Sequence, residues 1–166
     1  MFIDVHCHLD MLENQLLAIE YARKNNVKVI ICNGVNPEQN KKVMGLAKEY
    51  KEVKAAIGMY PIDALKLSDK EISQEIAFIK KNKEKIIAIG EIGLDFKEDT
   101  LNKEKQKEIF VKFVKLAQEL DKPISVHSRK AELEIIELLE KLGAKKVDMH
   151  CFMGKIRLCE RIAKNR

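Results

Sequence analysis

Short β-branched runs alternate with longer stretches whose apolar residues recur at nearly helical spacing, and the alternation persists along the whole chain. Such a pattern constrains the fold to repeated βα units, because a separate sheet and bundle would group strands with strands and helices with helices. Strands are expected over 2–5, 27–32, 53–57, 86–89, 123–126 and 147–149, each short and apolar as buried parallel strands are. Between them lie helix faces marked by Leu12, Leu16 and Ile19, then by Val43, Leu46 and Tyr50, then by Ile72, Ile76 and Ile79. Ser68 and Glu71 have the spacing of a capping box at the start of the third. A fourth helix is expected over 102–120, with Phe110, Phe113, Val114, Ala117 and Leu120 inward. A fifth carries Ala131, Ile135, Leu138, Leu139 and Leu142 and stops at Gly143. Asp10 reads as the N-cap of the first helix, over 12–22.

Composition matters where it excludes. At 166 residues, 46% hydrophobic and 34% charged, the chain is neither fibrous nor disordered, and 1–166 reads as one domain without linker or internal sequence repeat. It opens directly on a strand, with neither a basic leader nor a long uncharged apolar stretch, so a cytoplasmic location is expected. Cys7, Cys32, Cys151 and Cys159 lack CxxC spacing and read as reduced, buried thiols rather than a disulfide framework. The net charge of +5 is compatible with a polyanionic substrate, although most lysines fall on helix faces.

All four histidines stand where an apolar run ends: His6 and His8 after the first, His127 after the fifth, His150 after the sixth. The carboxyl ends of parallel strands open onto the ligand-binding face of α/β proteins, so these imidazoles should converge on a metal centre. In His6-Cys7-His8 the period of two aims both imidazoles one way and the thiol the other. Glu91 ends the fourth run between Gly90 and Gly93, and a carboxylate so placed can be shared by two cations. Asp95 reads as a supporting acid or a salt-bridge partner rather than a ligand. Ser128 and Arg129 follow His127 at the expected start of the next helix, where they could hold a phosphodiester; Arg129 could equally pair with Asp95.

Taken together, Ile3-Asp-Val-His-Cys-His-Leu-Asp10, Gly58-Met-Tyr-Pro61, Ile89-Gly-Glu-Ile-Gly-Leu-Asp95, Pro123-Ile-Ser-Val-His-Ser-Arg129 and His150-Cys-Phe-Met-Gly154 resemble the TatD family of metal-dependent hydrolases. The resemblance implies a TIM-barrel-like (β/α)8 fold, here lacking about the last two βα units. It also implies two divalent ions (Zn, Mn or Mg), one on His6, His8 and Glu91, the other on Glu91, His127 and His150. Glu91 would be the central catalytic residue, with Tyr60, Ser128 and Arg129 facing substrate. Two departures stand out: Tyr60 occupies a position where the family usually has histidine, and the aspartate that the family supplies after its seventh strand is absent.

The expected function is metal-dependent phosphodiester hydrolysis, as a deoxyribonuclease of exonuclease-like character acting on single-stranded DNA or an end. Alternatives are a metal-dependent amide or ester hydrolase of a small substrate, and a non-catalytic remnant that binds metal or a partner. Self-association through the exposed edges of an incomplete barrel is also expected.

Overall fold

A computed structural model describes residues 1–164, so the last two positions of the expected 1–166 domain lie outside the described residues. The elements follow in the order β1 (Phe2–Cys7), α1 (Gln15–Lys24), β2 (Val27–Asn33), α2 (Pro37–Glu49), β3 (Val53–Met59), α3 (Pro61–Leu65), α4 (Asp69–Lys81), β4 (Ala88–Asp95), α5 (Lys103–Glu119), β5 (Ile124–Arg129), α6 (Glu132–Leu142), β6 (Val147–Met149) and α7 (Ile156–Lys164). The six strands form one sheet in chain order, and each neighbouring pair is parallel. Sequential parallel pairing places all six carboxyl ends on one face, which is what brings residues distant in sequence to a common site.

The core lies between the sheet and the helices. Ile57 and Ile89 pair in register between β3 and β4, and Ile19, Val43, Ile72, Ile79, Phe113 and Ile135 are buried with them from the helices. The capping box at Ser68 is complete: Glu71 N–H donates to Ser68 Oγ, and Glu71 Oε2 accepts from the Ser68 N–H. Gly143 ends α6 with φ 64°, a left-handed stop. The six strands, the helix over 102–120 and the stop at Gly143 therefore stand as read from periodicity.

Several boundaries differ, for identifiable reasons. Strand β4 continues to Asp95 and β5 to Arg129, so Glu91 lies within its strand, and Ser128 and Arg129 belong to β5 rather than to a helix start. Polar residues that face the interior of the sheet interrupt the apolar pattern without ending the strand. Asn14, not Asp10, caps α1: its side chain accepts from Leu17 N–H, whereas Asp10 sits in a 3-10 turn and accepts a weak bond from Cys32 Sγ at 3.6 Å. Of the expected face of α1 only Ile19 is buried, while Leu12 and Leu16 are half exposed, along with Phe2, Ile3 and Val5 of β1. The short α3 has no apolar period, and only Pro61 at its first turn announces it. All four cysteines are free; Cys32 is buried and Cys7 partly so, but Cys151 and Cys159 are exposed, contrary to the expected burial. No helix among the described residues is long and apolar enough to cross a membrane.

Candidate metal centre

The strand period aims alternate side chains at one face, and along β1 and its end it carries His6 and His8 together. Glu91 projects from β4, His127 from β5, and His150 follows directly on β6. They meet around the Glu91 carboxylate. Its Oε2 lies 3.4 Å from His6 Nε2 and 3.1 Å from His8 Nε2. Its Oε1 lies 3.0 Å from His127 Nδ1 and 3.2 Å from His150 Nε2. One carboxylate thus divides four imidazoles into two pairs, and each pair forms with Glu91 a group of donors able to hold an ion.

Close backbone approach makes this possible. A Cβ on Gly90 would stand 2.8 Å from the Ser125 Cβ, and one on Gly93 only 2.0 Å from the His127 carbonyl oxygen, so both positions must be glycine for β4 and β5 to pack. Both glycines flank Glu91.

The imidazoles are oriented from behind. His8 Nδ1 lies 2.9 Å from the Asn33 carbonyl oxygen, which can only accept, so Nδ1 carries a proton and Nε2 faces Glu91. His127 Nε2 lies 2.9 Å from Asp95 Oδ2, leaving Nδ1 to face Glu91. His6 Nδ1 lies 2.9 Å from Ser125 Oγ, whereas the His150 Nδ1 is buried without a hydrogen-bond partner among the described residues. The rings pack on one another: His6 stacks on His150 with centroids 3.6 Å apart, and Tyr60 meets His127 edge-on at 4.9 Å.

This donor set fits divalent cations. Imidazole lone pairs turned toward a carboxylate repel it unless a proton or a cation stands between them. Two ligands about 2.0–2.2 Å from a tetrahedral zinc stand roughly 3.3 Å apart, and the Glu91 oxygens stand 3.0–3.4 Å from the four nitrogens. Burial pushes the Glu91 carboxyl up, but the surrounding imidazoles outweigh it and hold the group far below the usual carboxylate range. The Glu91 hydrogen bond holds His8 above the ordinary imidazole value. At His127, burial acts downward and is overcome by Glu91 and Asp95, so this ring is also raised.

Asp95 is fully buried and saturated with donors. Its Oδ1 accepts from the Lys97 and Glu98 N–H groups, and its Oδ2 accepts from Tyr60 Oη at 2.9 Å as well as facing His127. Arg129 Nη1 stands 3.9 Å from the same oxygen, at the margin of an ion pair, with its side chain half exposed. Tyr60, Ser128 and Arg129 all line a cleft of about 1240 Å3 that opens over Glu91 and the histidines. The Tyr60 hydroxyl is committed to Asp95 and Glu98, while Ser128 Oγ is buried without a partner among the described residues. Sequence reasoning missed Asn33, Ser125 and Asp148 behind the imidazoles. Ser125 and Asp148 each stand two residues before a histidine of the site, on the same strand face, which is a readable signal.

Known proteins resemble this chain over nearly its whole length. The family model described as TatD related DNase matches residues 3–166. The "Uncharacterized metal-dependent hydrolase MJ1582" of Methanocaldococcus jannaschii is 36% identical over 98% of this chain and 64% of its own. The human "Deoxyribonuclease TATDN3" is 32% identical over 92% of this chain and 61% of its own. The crystal structure of YjjV, a TatD homolog from Escherichia coli, superimposes with a TM-score of 0.88 at 30% identity, covering 99% of this chain and 65% of that one. The chain therefore spans less than two thirds of the length of these relatives, and its curled sheet corresponds to part of a TIM-barrel-like fold. Family match, relatives and fold agree that the chain belongs to the TatD-related DNase family.

Proposed function

We propose that the chain carries the two-metal centre of a phosphodiester hydrolase acting on DNA. The observation that carries this reading is the division of four imidazoles between the two oxygens of Glu91. His6, His8 and Glu91 would hold one divalent ion, and Glu91, His127 and His150 the other. Imidazole-rich ligation suits Zn or Mn, with Mg the further candidate. Such ions supply Lewis acidity toward a phosphoryl oxygen and make water a stronger nucleophile.

The chain's own residues bind and orient the substrate. Arg129, its side chain half exposed on the cleft, would donate to a phosphate, and Tyr60 would lie against a base; the Ser128 hydroxyl is buried on the other side of the strand from Arg129. Lys97, Lys130, Lys155 and Arg157 line the same cleft alongside Glu98, Glu132 and Glu134 and would meet phosphates locally. The substrate form proposed is a single strand or a free end, cut in exonuclease-like fashion. The "Deoxyribonuclease" in the human relative's name supports the same substrate class. The four free thiols accord with a reducing, cytoplasmic compartment, and the exposed apolar residues of β1 favour self-association along that edge.

The test is hydrolysis of single-stranded DNA with Mn and with Mg, beside p-nitrophenyl phosphodiesters and cyclic amides. Metal-dependent release of nucleotides supports the reading. Turnover of the amides alone makes this a small-molecule amide hydrolase, and metal binding without turnover of any substrate makes it a binding module.

A further inference from the structure

Behind His6 lies a chain of hydrogen bonds that crosses three strands. Ser125 of β5 and Asp148 of β6 are register partners, and Ser125 Oγ stands 3.3 Å from Asp148 Oδ2. The same Ser125 Oγ stands 2.9 Å from Nδ1 of His6 on β1. Ser125 is 3% exposed, so water does not compete for its hydroxyl.

A carboxylate oxygen accepts and cannot donate, so the single hydroxyl proton of Ser125 goes to Asp148. The Ser125 oxygen is then left to accept, and the proton between it and His6 must sit on Nδ1. A neutral His6 with its proton on Nδ1 has its lone pair on Nε2, the nitrogen that faces Glu91.

We infer that Ser125 and Asp148 are positioning residues that fix His6 in its ligand-ready tautomer through the chain Asp148–Ser125–His6. The inference rests on the metal-centre reading: a cation between Nε2 and Glu91 makes that lone pair favourable, whereas without one the carboxylate competes for the proton. It gives β6 a role in the site beyond delivering His150, because Asp148 acts across the sheet on a ligand of β1. The device differs from those behind His8 and His127, where a backbone carbonyl and a carboxylate make the contact directly. In His6 the hydroxyl relays the acceptor's polarity over one further bond.

Imidazole 15N NMR of the zinc-loaded full chain reads which ring nitrogen carries the proton. The expected spectrum has a protonated, pyrrole-type Nδ1 and a zinc-bound Nε2 at His6; the opposite pattern overturns the inference without any variant. Asp148→Asn keeps the shape but offers an amide donor to Ser125 Oγ, which frees the hydroxyl proton to turn toward His6 and shifts the ring to the Nε2-protonated form. Ser125→Ala should lower zinc affinity on the His6 side about tenfold, the scale of lost partners behind metal ligands, and Ser125→Thr should restore it. The His127 resonances, set by Asp95, should stay in place throughout and serve as the folding control. Unchanged His6 resonances and unchanged zinc affinity in both Ser125→Ala and Asp148→Asn would overturn the inference. If the wild-type protein binds no zinc, the metal reading falls and the relay with it; if it binds zinc with the His6 proton on the other nitrogen, the relay alone falls.

Discussion

Strands β1 and β4 are both apolar, yet every residue of β4 is buried while the first four of β1 are exposed. Strand β4 has β3 and β5 on its sides; β1 has β2 alone, at the end of the sheet. Burial is therefore set by a strand's neighbours rather than by its own composition. The candidate metal centre spans this contrast. Glu91 and His127 come from the packed middle, and His6, His8 and His150 from the two outer strands or their ends. Glu91 is buried in the core, whereas His6, His8 and His127 are each oriented by a hydrogen bond to the ring nitrogen that faces away from it.

The largest expected effect lies in the middle. Glu91→Gln should abolish binding at both ion positions, a loss of at least about a hundredfold in affinity and beyond the scale of supporting-residue losses, with any DNA hydrolysis lost alongside. Competition titration with a chromogenic chelator measures it, and a mild loss at one position alone would make Glu91 an ordinary buried acid. Next comes Asp95→Asn, which weakens the acceptor behind His127 and should cost roughly 10- to 100-fold in affinity. Tyr60→Phe removes only one of several donors to Asp95 and should fall below that range. The reverse order would mean that Tyr60, not Asp95, holds His127.

Stability should show the same contrast. Ile89→Ala, in the core beside Ile57 and Ile124, should destabilise by about 2–5 kcal/mol, whereas Leu16→Ala on the exposed face of α1 should change stability by less than about 0.5 kcal/mol. Urea denaturation compares them. Equal costs would show that the α1 face is covered in solution, and Leu16→Glu would then be expected to shift the oligomeric state seen by light scattering.

The smallest expected effect concerns the pair that fastens α1 to the rest of the fold. Arg23 donates from Nε and Nη2 to the two carboxylate oxygens of Glu52, holding that carboxyl down at about 2 from its ordinary 4.5. A depressed carboxylate contributes stability that is fully present above its unfolded value and is lost as pH falls through the folded one. The contribution should therefore fade between pH 4.5 and about 2, and Glu52→Gln should flatten that limb of an acid-denaturation curve. An unaltered limb would assign acid sensitivity to other carboxylates.

The sequence was most legible where one local rule decides. The period of two placed His6 with His8, the 3.6 period placed the buried faces of α4 and α5, and the Ser68 and Glu71 spacing placed a cap. It was less legible where a partner distant in sequence decides. Leu16 reads as a core residue because its helix is amphipathic, but the described residues leave it half exposed. Ser128 and Arg129 read as a helix start because polarity there resembles a loop, whereas their pairing with Leu94 and Asp95 keeps them in the strand. Ser125 has no local rule marking its importance. Its meaning comes from Asp148 on one side and His6 on the other, which only the folded sheet brings together.

The central claim is that the two oxygens of one carboxylate serve two adjacent cations. Electron paramagnetic resonance of the protein loaded with two equivalents of Mn(II) tests it most directly, because neighbouring ions sharing a bridge couple their spins. A spin-coupled Mn pair in the wild-type chain is the predicted result. Saturation at one equivalent, or only the signal of isolated Mn, would contradict the account.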